Sequence, residues 1–209
     1  MYIIWTGSLA ASAMLLYNTF CVLKINMKYP HDTVNRLNAG TYQIIVVLWS
    51  LYNMIYDKPS YSLDESMIGY FLYDILSLLS SSYCHKQHLF FFHHIMSIYI
   101  IHINMLYDIA PPMYTNMLYF LMESGACMLN WMKLSKEYYP SSRFKLLTYT
   151  TYALTRGVCL PIYIVKYCEN VYEPIWYQNV TVFMLCMLFI LSMNWFRYMI
   201  DFRRFMTIE

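Results

Sequence analysis

Residues 88–107 read HLFFFHHIMSIYIIHINMLY, and this stretch decides the fold class. It contains no Asp, Glu, Lys or Arg, and a helix of about 20 mostly apolar residues is what crosses the hydrocarbon core of a bilayer. It also contains the adjacent pair His93 and His94, whose imidazoles lipid does not solvate. The stretch therefore predicts a membrane-spanning helix whose polar side chains are covered by neighbouring helices.

The rest of the chain repeats this apolar pattern. Of its 209 residues, 59% are hydrophobic and 12% are charged, and the charged fraction is about half that of a soluble domain. The sequence predicts an all-α polytopic membrane bundle that forms one domain over residues 1–209. Turn-forming residues separate seven predicted transmembrane spans, at 1–23, 37–56, 67–83, 88–107, 113–132, 144–167 and 175–200.

Basic residues fall mainly on one side of this predicted bundle. Of the 14 Lys and Arg residues, Arg156 lies deep inside a span, and only Lys58 and Lys166 lie in or next to the second, fourth and sixth loops. Cytosolic loops carry the excess of Lys and Arg in membrane proteins. The asymmetry therefore predicts a lumenal or exterior amino terminus and a cytosolic carboxyl terminus.

Ionisable side chains inside consecutive predicted spans mark a candidate functional site. Each such group costs several kcal/mol in lipid unless it is paired or solvated. At a rise of about 1.5 Å per residue, all of them lie near the bilayer midplane or in its cytosolic half. The candidates are Asp74 in the third span, His93 and His94 in the fourth, Glu123 in the fifth and Arg156 in the sixth.

Further polar residues share a helix face with these candidates. Tyr70 is one turn from Asp74, Ser97 is one turn from His93, and Asn130 is two turns from Glu123. The polar stripes predict a cavity that is built by the third to sixth spans together. A structural alternative stays open, in which Arg156 only neutralises Asp74 or Glu123 and the histidines only hydrogen-bond to neighbouring helices.

Two motifs resemble the TLC domain family, which includes ceramide synthases, translocon-associated membrane proteins and TLC-domain lipid-composition proteins. Residues 69–76 read GYFLYDIL and residues 89–97 read LFFFHHIMS, similar to the family's aspartate helix and the His-His pair that follows it. Residues 123–131 and 154–158 are closest to the lipid-composition branch, and the resemblance covers 35–204. It implies a TLC-type bundle in the endoplasmic reticulum or a connected endomembrane, with a role in lipid or sphingolipid metabolism.

One departure from the ceramide synthases concerns the helix after the His-His pair. Those enzymes carry an acidic motif of the form HDxxD there, whereas residues 118–125 read LYFLMESG, with one acid and no histidine. The departure argues against N-acylation of a sphingoid base. It leaves open a broader role in lipid metabolism, lipid composition or lipid sensing.

The catalytic version of this role is an acyl-CoA-dependent acyltransferase. His93 or His94 would be the general base, since imidazole titrates near neutral pH. Asp74 or Glu123 would orient that imidazole, and Arg156 would stabilise an oxyanion or a lipid phosphate. Tyr70, Ser97 and Asn130 complete the predicted substrate-binding set. Acyl-CoA is then a co-substrate, and no other cofactor and no metal is expected.

Other functions remain as alternatives. A non-enzymatic trafficking or scaffold protein would use the same cavity without turnover. A proton-coupled transporter is disfavoured because no internal repeat is present, and a di-iron hydroxylase because the histidine spacing is irregular. The expected partners are membrane lipids and not nucleic acid, and the sequence does not predict an oligomeric state.

Overall fold

The computed structural model of the chain describes residues 30–80, 88–138 and 142–205, and within them every regular element is a helix. The predicted first span, 1–23, lies outside the described residues. Helix α5 is continuous but changes its geometry twice, through the segments Ser142–Tyr152, Ala153–Cys159 and Leu160–Asn170. The other helices are α1 Pro30–Ile55, α2 Tyr61–Ser80, α3 His88–Tyr107, α4 Pro112–Tyr138 and α6 Trp176–Phe205.

Proline and aspartate set several helix ends. Pro30 and Pro112 begin α1 and α4, where a missing N–H has no intrahelical partner to lose. Asp57 and Asp108 follow α1 and α3 with φ of 46° and 48°, a left-handed conformation that Asp tolerates better than most residues. Each predicted span from the second to the seventh lies mainly within one described helix, although α1 begins at Pro30 and not at residue 37.

In the part of the chain that the structure describes, two helices are long and apolar enough to cross a membrane, over Leu89–Tyr107 and Trp176–Arg197. Only 39% and 22% of these stretches are buried inside the bundle, so most of their apolar surface faces outward. Helix α1 likewise exposes Ile45, Leu48 and Ile55. An outward apolar surface of this extent needs a lipid environment. The number of spans and the orientation of the termini stay predictions.

The most extensive helix–helix contact is between α1 and α4. Gly40 makes it close: a Cβ at this position would lie 2.9 Å from Trp131 Nε1. The Cys127 thiol donates to the Gly40 carbonyl oxygen at 3.7 Å. Small residues at membrane helix interfaces allow such backbone approach, because van der Waals packing is the main attraction available there.

Gly40→Ala is expected to lower the free energy of unfolding by about 1 kcal/mol. Overpacking against the rigid indole costs about 1–3 kcal/mol, and the better helix propensity of Ala returns about 1 kcal/mol. Gly157→Ala is the matched control, because its Cβ would meet only Met193 Cε at 3.8 Å. Thermal unfolding in detergent micelles measures both variants, and equal melting temperatures would contradict the close packing.

The middle of α5, Ala153–Cys159, is a π-helix. The Leu160 N–H donates to the Thr155 carbonyl oxygen, five residues back. Pro161 follows at once, and its ring has no N–H and would crowd the Gly157 carbonyl in a regular α-helix. π-Helical turns occur frequently at functional sites, and this one carries Arg156.

Candidate functional site

An ion-pair contact between Asp74 and His94 joins α2 to α3 in the site. Asp74 Oδ2 lies 2.6 Å from His94 Nε2, and the two side chains are 24% and 7% exposed. A carboxylate at one imidazole nitrogen fixes the orientation of the ring. Neither ring nitrogen of His94 has a hydrogen bond of regular geometry among the described residues, so the Asp74 approach is an ion-pair contact and Nδ1 has no partner. The sequence left open which carboxylate orients which histidine, and the structure pairs Asp74 with His94.

His93 contacts other side chains than His94 does, because adjacent residues on an α-helix point about 100° apart. Its ring centroid is 5.3 Å from that of His94 and 5.3 Å from that of Trp195 on α6, and its edge-on neighbour on α2 is Phe71. Phe90 stacks on Trp195 at 4.7 Å. His93 is therefore buried in an aromatic environment, and its Nδ1 also has no partner within the described part of the chain.

Glu123 on α4 is 4% exposed and belongs to a polar chain that reaches α1. Gln43 of α1 forms a side-chain hydrogen bond with Glu123. The Gln43 oxygen Oε1 also accepts from Asn130 Nδ2 at 3.0 Å. Gln43 thus bridges two predicted site residues. Gln43 is not among the predicted site residues because its amide carries no charge, although a glutamine inside the predicted span 37–56 already indicated a buried polar contact.

Arg156 is fully surrounded by protein. Its Nη1 donates to Ser192 Oγ at 3.2 Å and to Met122 Sδ at 2.7 Å, and its Nη2 donates to the Met122 carbonyl oxygen. It is also close enough to Glu123 to interact electrostatically. Gly125 allows the approach, since a Cβ there would lie 3.0 Å from Thr155 Oγ1. The guanidinium consequently links α4, α5 and α6 in the bundle interior.

A cavity of ≈ 30 Å³ lies beside the histidine pair. Its polar wall consists of His93, Ser97, Tyr119 and Glu123, and apolar side chains complete it. This volume holds about two water molecules. A second cavity of similar size shares Tyr119 and three apolar wall residues with the first and continues towards Tyr167. Neither cavity admits a lipid headgroup unless the helices move apart.

The remaining predicted site residues lie at the edge of this cluster. Tyr70 stacks on Tyr42 of α1, with ring centroids 4.4 Å apart, and interacts electrostatically with Asp74 and Glu123. Ser97 donates to the His93 backbone oxygen at 2.9 Å and lines the first cavity.

Side chains from α1 and α6 add to the helices that the sequence predicted to build the site. No three His, Cys, Asp or Glu side chains in the described ranges converge as a metal site does.

A helical bundle with this outward apolar surface has the architecture of an integral membrane protein. The chain matches the family model of the TLC domain over residues 3–201. It belongs to the TLC domain family, and the match confirms the resemblance seen in the aspartate and His-His motifs. Comparison with curated proteins and with solved structures gave no match.

Proposed function

We propose that this protein acts on membrane lipids, and that its Asp74–His94 pair is the acid–base group of an acyl transfer. The 2.6 Å contact between Asp74 Oδ2 and His94 Nε2 carries the proposal. An imidazole held by a carboxylate takes a proton from a hydroxyl or amine nucleophile and later returns it to the leaving group. The nucleophile would enter the first cavity, which His93 lines and His94 does not, so it would have to pass His93 to reach the unpartnered Nδ1 of His94.

The proposed reaction balances with acyl-CoA as the donor. His94 accepts the proton of the lipid hydroxyl or amine as the new bond to the acyl carbon forms. The carbon–sulfur bond then breaks, and the imidazolium gives its proton to the departing thiolate. Arg156 and Glu123 hold the surrounding helices in place, because the two Nη atoms of Arg156 donate to Met122 and Ser192 and Glu123 is hydrogen-bonded to Gln43. The cavity would have to widen for a headgroup to bind.

The proposal includes the seven-span topology and an endoplasmic reticulum or connected endomembrane location. The positive-inside distribution of Lys and Arg supports the lumenal amino terminus and the cytosolic carboxyl terminus. His93, His94 and Asp74 would then lie on the cytosolic side of the midplane, which is the side from which acyl-CoA arrives.

A non-enzymatic trafficking or scaffold role is the second candidate. The small cavity favours it, since ≈ 30 Å³ fits water and not a lipid headgroup. In this role the polar cluster would hold the helices together without admitting a substrate. The two candidates differ in whether purified protein forms a product from acyl-CoA and a lipid acceptor.

Untargeted lipidomics on cells that express matched levels of wild type or His93→Ala/His94→Ala tests the proposal. We expect at least one lipid class to change with wild type and not with the double variant. His102→Ala is the matched control, because His102 is an exposed histidine on the same helix. Identical profiles for wild type and the double variant, in a host that contains the candidate acceptors, would contradict a role in lipid chemistry.

A further inference from the structure

A second buried carboxylate lies at the end of the bundle that the sequence predicts to be non-cytosolic. Asp64 is in the first turn of α2, three residues before the predicted span 67–83, and it is 1% exposed. Ser60 Oγ donates to its Oδ2 at 2.9 Å, and the Tyr119 hydroxyl of α4 donates to its Oδ1. Asp64 is not among the site residues predicted from the sequence, because it lies outside the predicted spans, yet it connects two helices of the site.

Tyr119, the hydrogen-bond partner of Asp64, lines both cavities. Tyr119 lines the first cavity together with His93 and Glu123, and it also lines the second. Tyr119 and Glu123 are one turn apart on α4. Met67, one turn after Asp64 on α2, lines the first cavity as well. The Asp64–Tyr119 hydrogen bond therefore fixes two walls of the cavity relative to each other.

The surroundings of Asp64 contain hydroxyls and a like charge. The groups that face it are Ser60 and Glu65 from its own side and Tyr119 from α4. Tyr42 of α1 and Tyr163 of α5 interact with Tyr119 from its other sides. Burial is the main reason that the pKa of Asp64 rises from 3.8 to about 6, and the charge of Glu65 adds to it. The carboxyl therefore changes charge near neutral pH.

The two charge states of Asp64 hold Tyr119 differently. The ionised carboxylate accepts a charge-assisted hydrogen bond, which is roughly twice as strong as a neutral one. The protonated acid turns one oxygen into an O–H donor, so the hydroxyl at that oxygen has to reorient, and neither remaining hydrogen bond is charge-assisted. Ionisation tightens the contact with Tyr119, and protonation loosens it.

We propose that Asp64 is a positioning residue that acts through Tyr119 and sets the geometry of the His93–Glu123 cavity according to its own protonation. The catalytic consequence of this control rests on the proposed function, because the site that Asp64 would control, from the opposite end of the bundle and according to pH, is the proposed acid–base site. The structural part of the proposal is independent of any lipid product.

Methyl NMR of purified protein in nanodiscs, with ¹³C-labelled methionine methyl groups, tests that structural part. Met67 reports from α2, beside Asp64, and Met122 reports from α4, one turn beyond Tyr119; both line the first cavity. In wild type we expect both signals to shift with a midpoint near pH 6, the pKa of Asp64. In Asp64→Asn both transitions should be lost.

Tyr119→Phe distinguishes a direct effect of Asp64 ionisation on the methionine signals from an effect that is transmitted through the Tyr119 hydroxyl. It keeps the ring in the cavity wall and removes the hydroxyl, so Met67 should still respond to Asp64 while Met122 should not. Asp57→Asn is the matched control, since it neutralises an exposed acid at the same end, in a left-handed conformation that Asn also adopts. It should behave as wild type.

A Met122 transition that persists in Tyr119→Phe, or in Asp64→Asn, would overturn the proposal. The Tyr119→Phe arm keeps the test decisive even if Asp64→Asn does not fold. Product formation from acyl-CoA and lipid is measured on the same samples. Expected NMR transitions with no product at any pH would refute the proposed acyl transfer and leave the anchoring of Tyr119 by Asp64 supported.

Discussion

Arg156→Met is expected to lower the free energy of unfolding by about 3–5 kcal/mol, the usual cost of leaving a buried charge without its partner. The variant retains similar volume but removes the positive charge near Glu123 and the hydrogen bonds to Met122 and Ser192. Denaturant titration of the protein in detergent micelles measures the loss. Arg143→Met is the matched control, because Arg143 is exposed and its removal should cost less than about 1 kcal/mol.

The double variant Glu123→Gln/Arg156→Met identifies the cause. Glutamine has nearly the shape of glutamate and needs no counter-charge, so the second substitution should restore a large part of the lost stability. Unfolding free energies that simply add across the two single variants would show that Arg156 and Glu123 do not interact. The role of Arg156 would then reduce to its hydrogen bonds with α4 and α6.

Asp74→Asn is expected to reduce acyl transfer by about 10²–10⁴-fold, the range in which a positioned base and its orienting carboxylate contribute. An amide at this position cannot stabilise the imidazolium, and it favours the other tautomer of His94. Initial rates with purified protein, acyl-CoA and lipid acceptors measure the effect.

The matched control is Asp108→Asn, in a left-handed turn after α3, which should keep the wild-type rate. Membrane insertion and melting temperature of Asp74→Asn should stay close to wild type, because Asp74 is 24% exposed and not fully buried. An unchanged rate in folded Asp74→Asn would exclude Asp74 as the orienting group.

The helices were predictable because their apolar residues must meet lipid or each other. The second to seventh predicted spans each match a described helix, but hydropathy did not predict that α1 begins at Pro30. The first turns of α1 are polar, and a helix that extends beyond the apolar stretch is not visible in hydropathy. Their helical state depends on tertiary contacts, such as the hydrogen bonds from Asn35 Nδ2 to Ser77 Oγ and from Tyr73 to Asn35.

The ionisable members of the site were predictable for a related reason. Charge inside an apolar stretch is costly, and it stands out in the sequence. Gln43 and Ser192 were missed because uncharged polar groups are common in membrane helices. Asp64 was missed because its burial depends on how α4 docks against α2, which no local pattern encodes. The assignment of Asp74 to His94 likewise required the geometry between helices.

The π-helical segment of α5 makes the position of Arg156 depend on chain length. A π turn closes its hydrogen bond over five residues and an α turn over four, so Ala153–Cys159 contains a register offset between the two halves of α5. Conversion of this segment to α geometry at unchanged length would rotate one half by about 100° relative to the other, whereas deletion of one residue would let α geometry continue with both halves in their present orientation. Replacing the side chain tests the charge and hydrogen bonds of Arg156, whereas deleting one residue tests the π-helical spacing that directs Arg156 into the bundle.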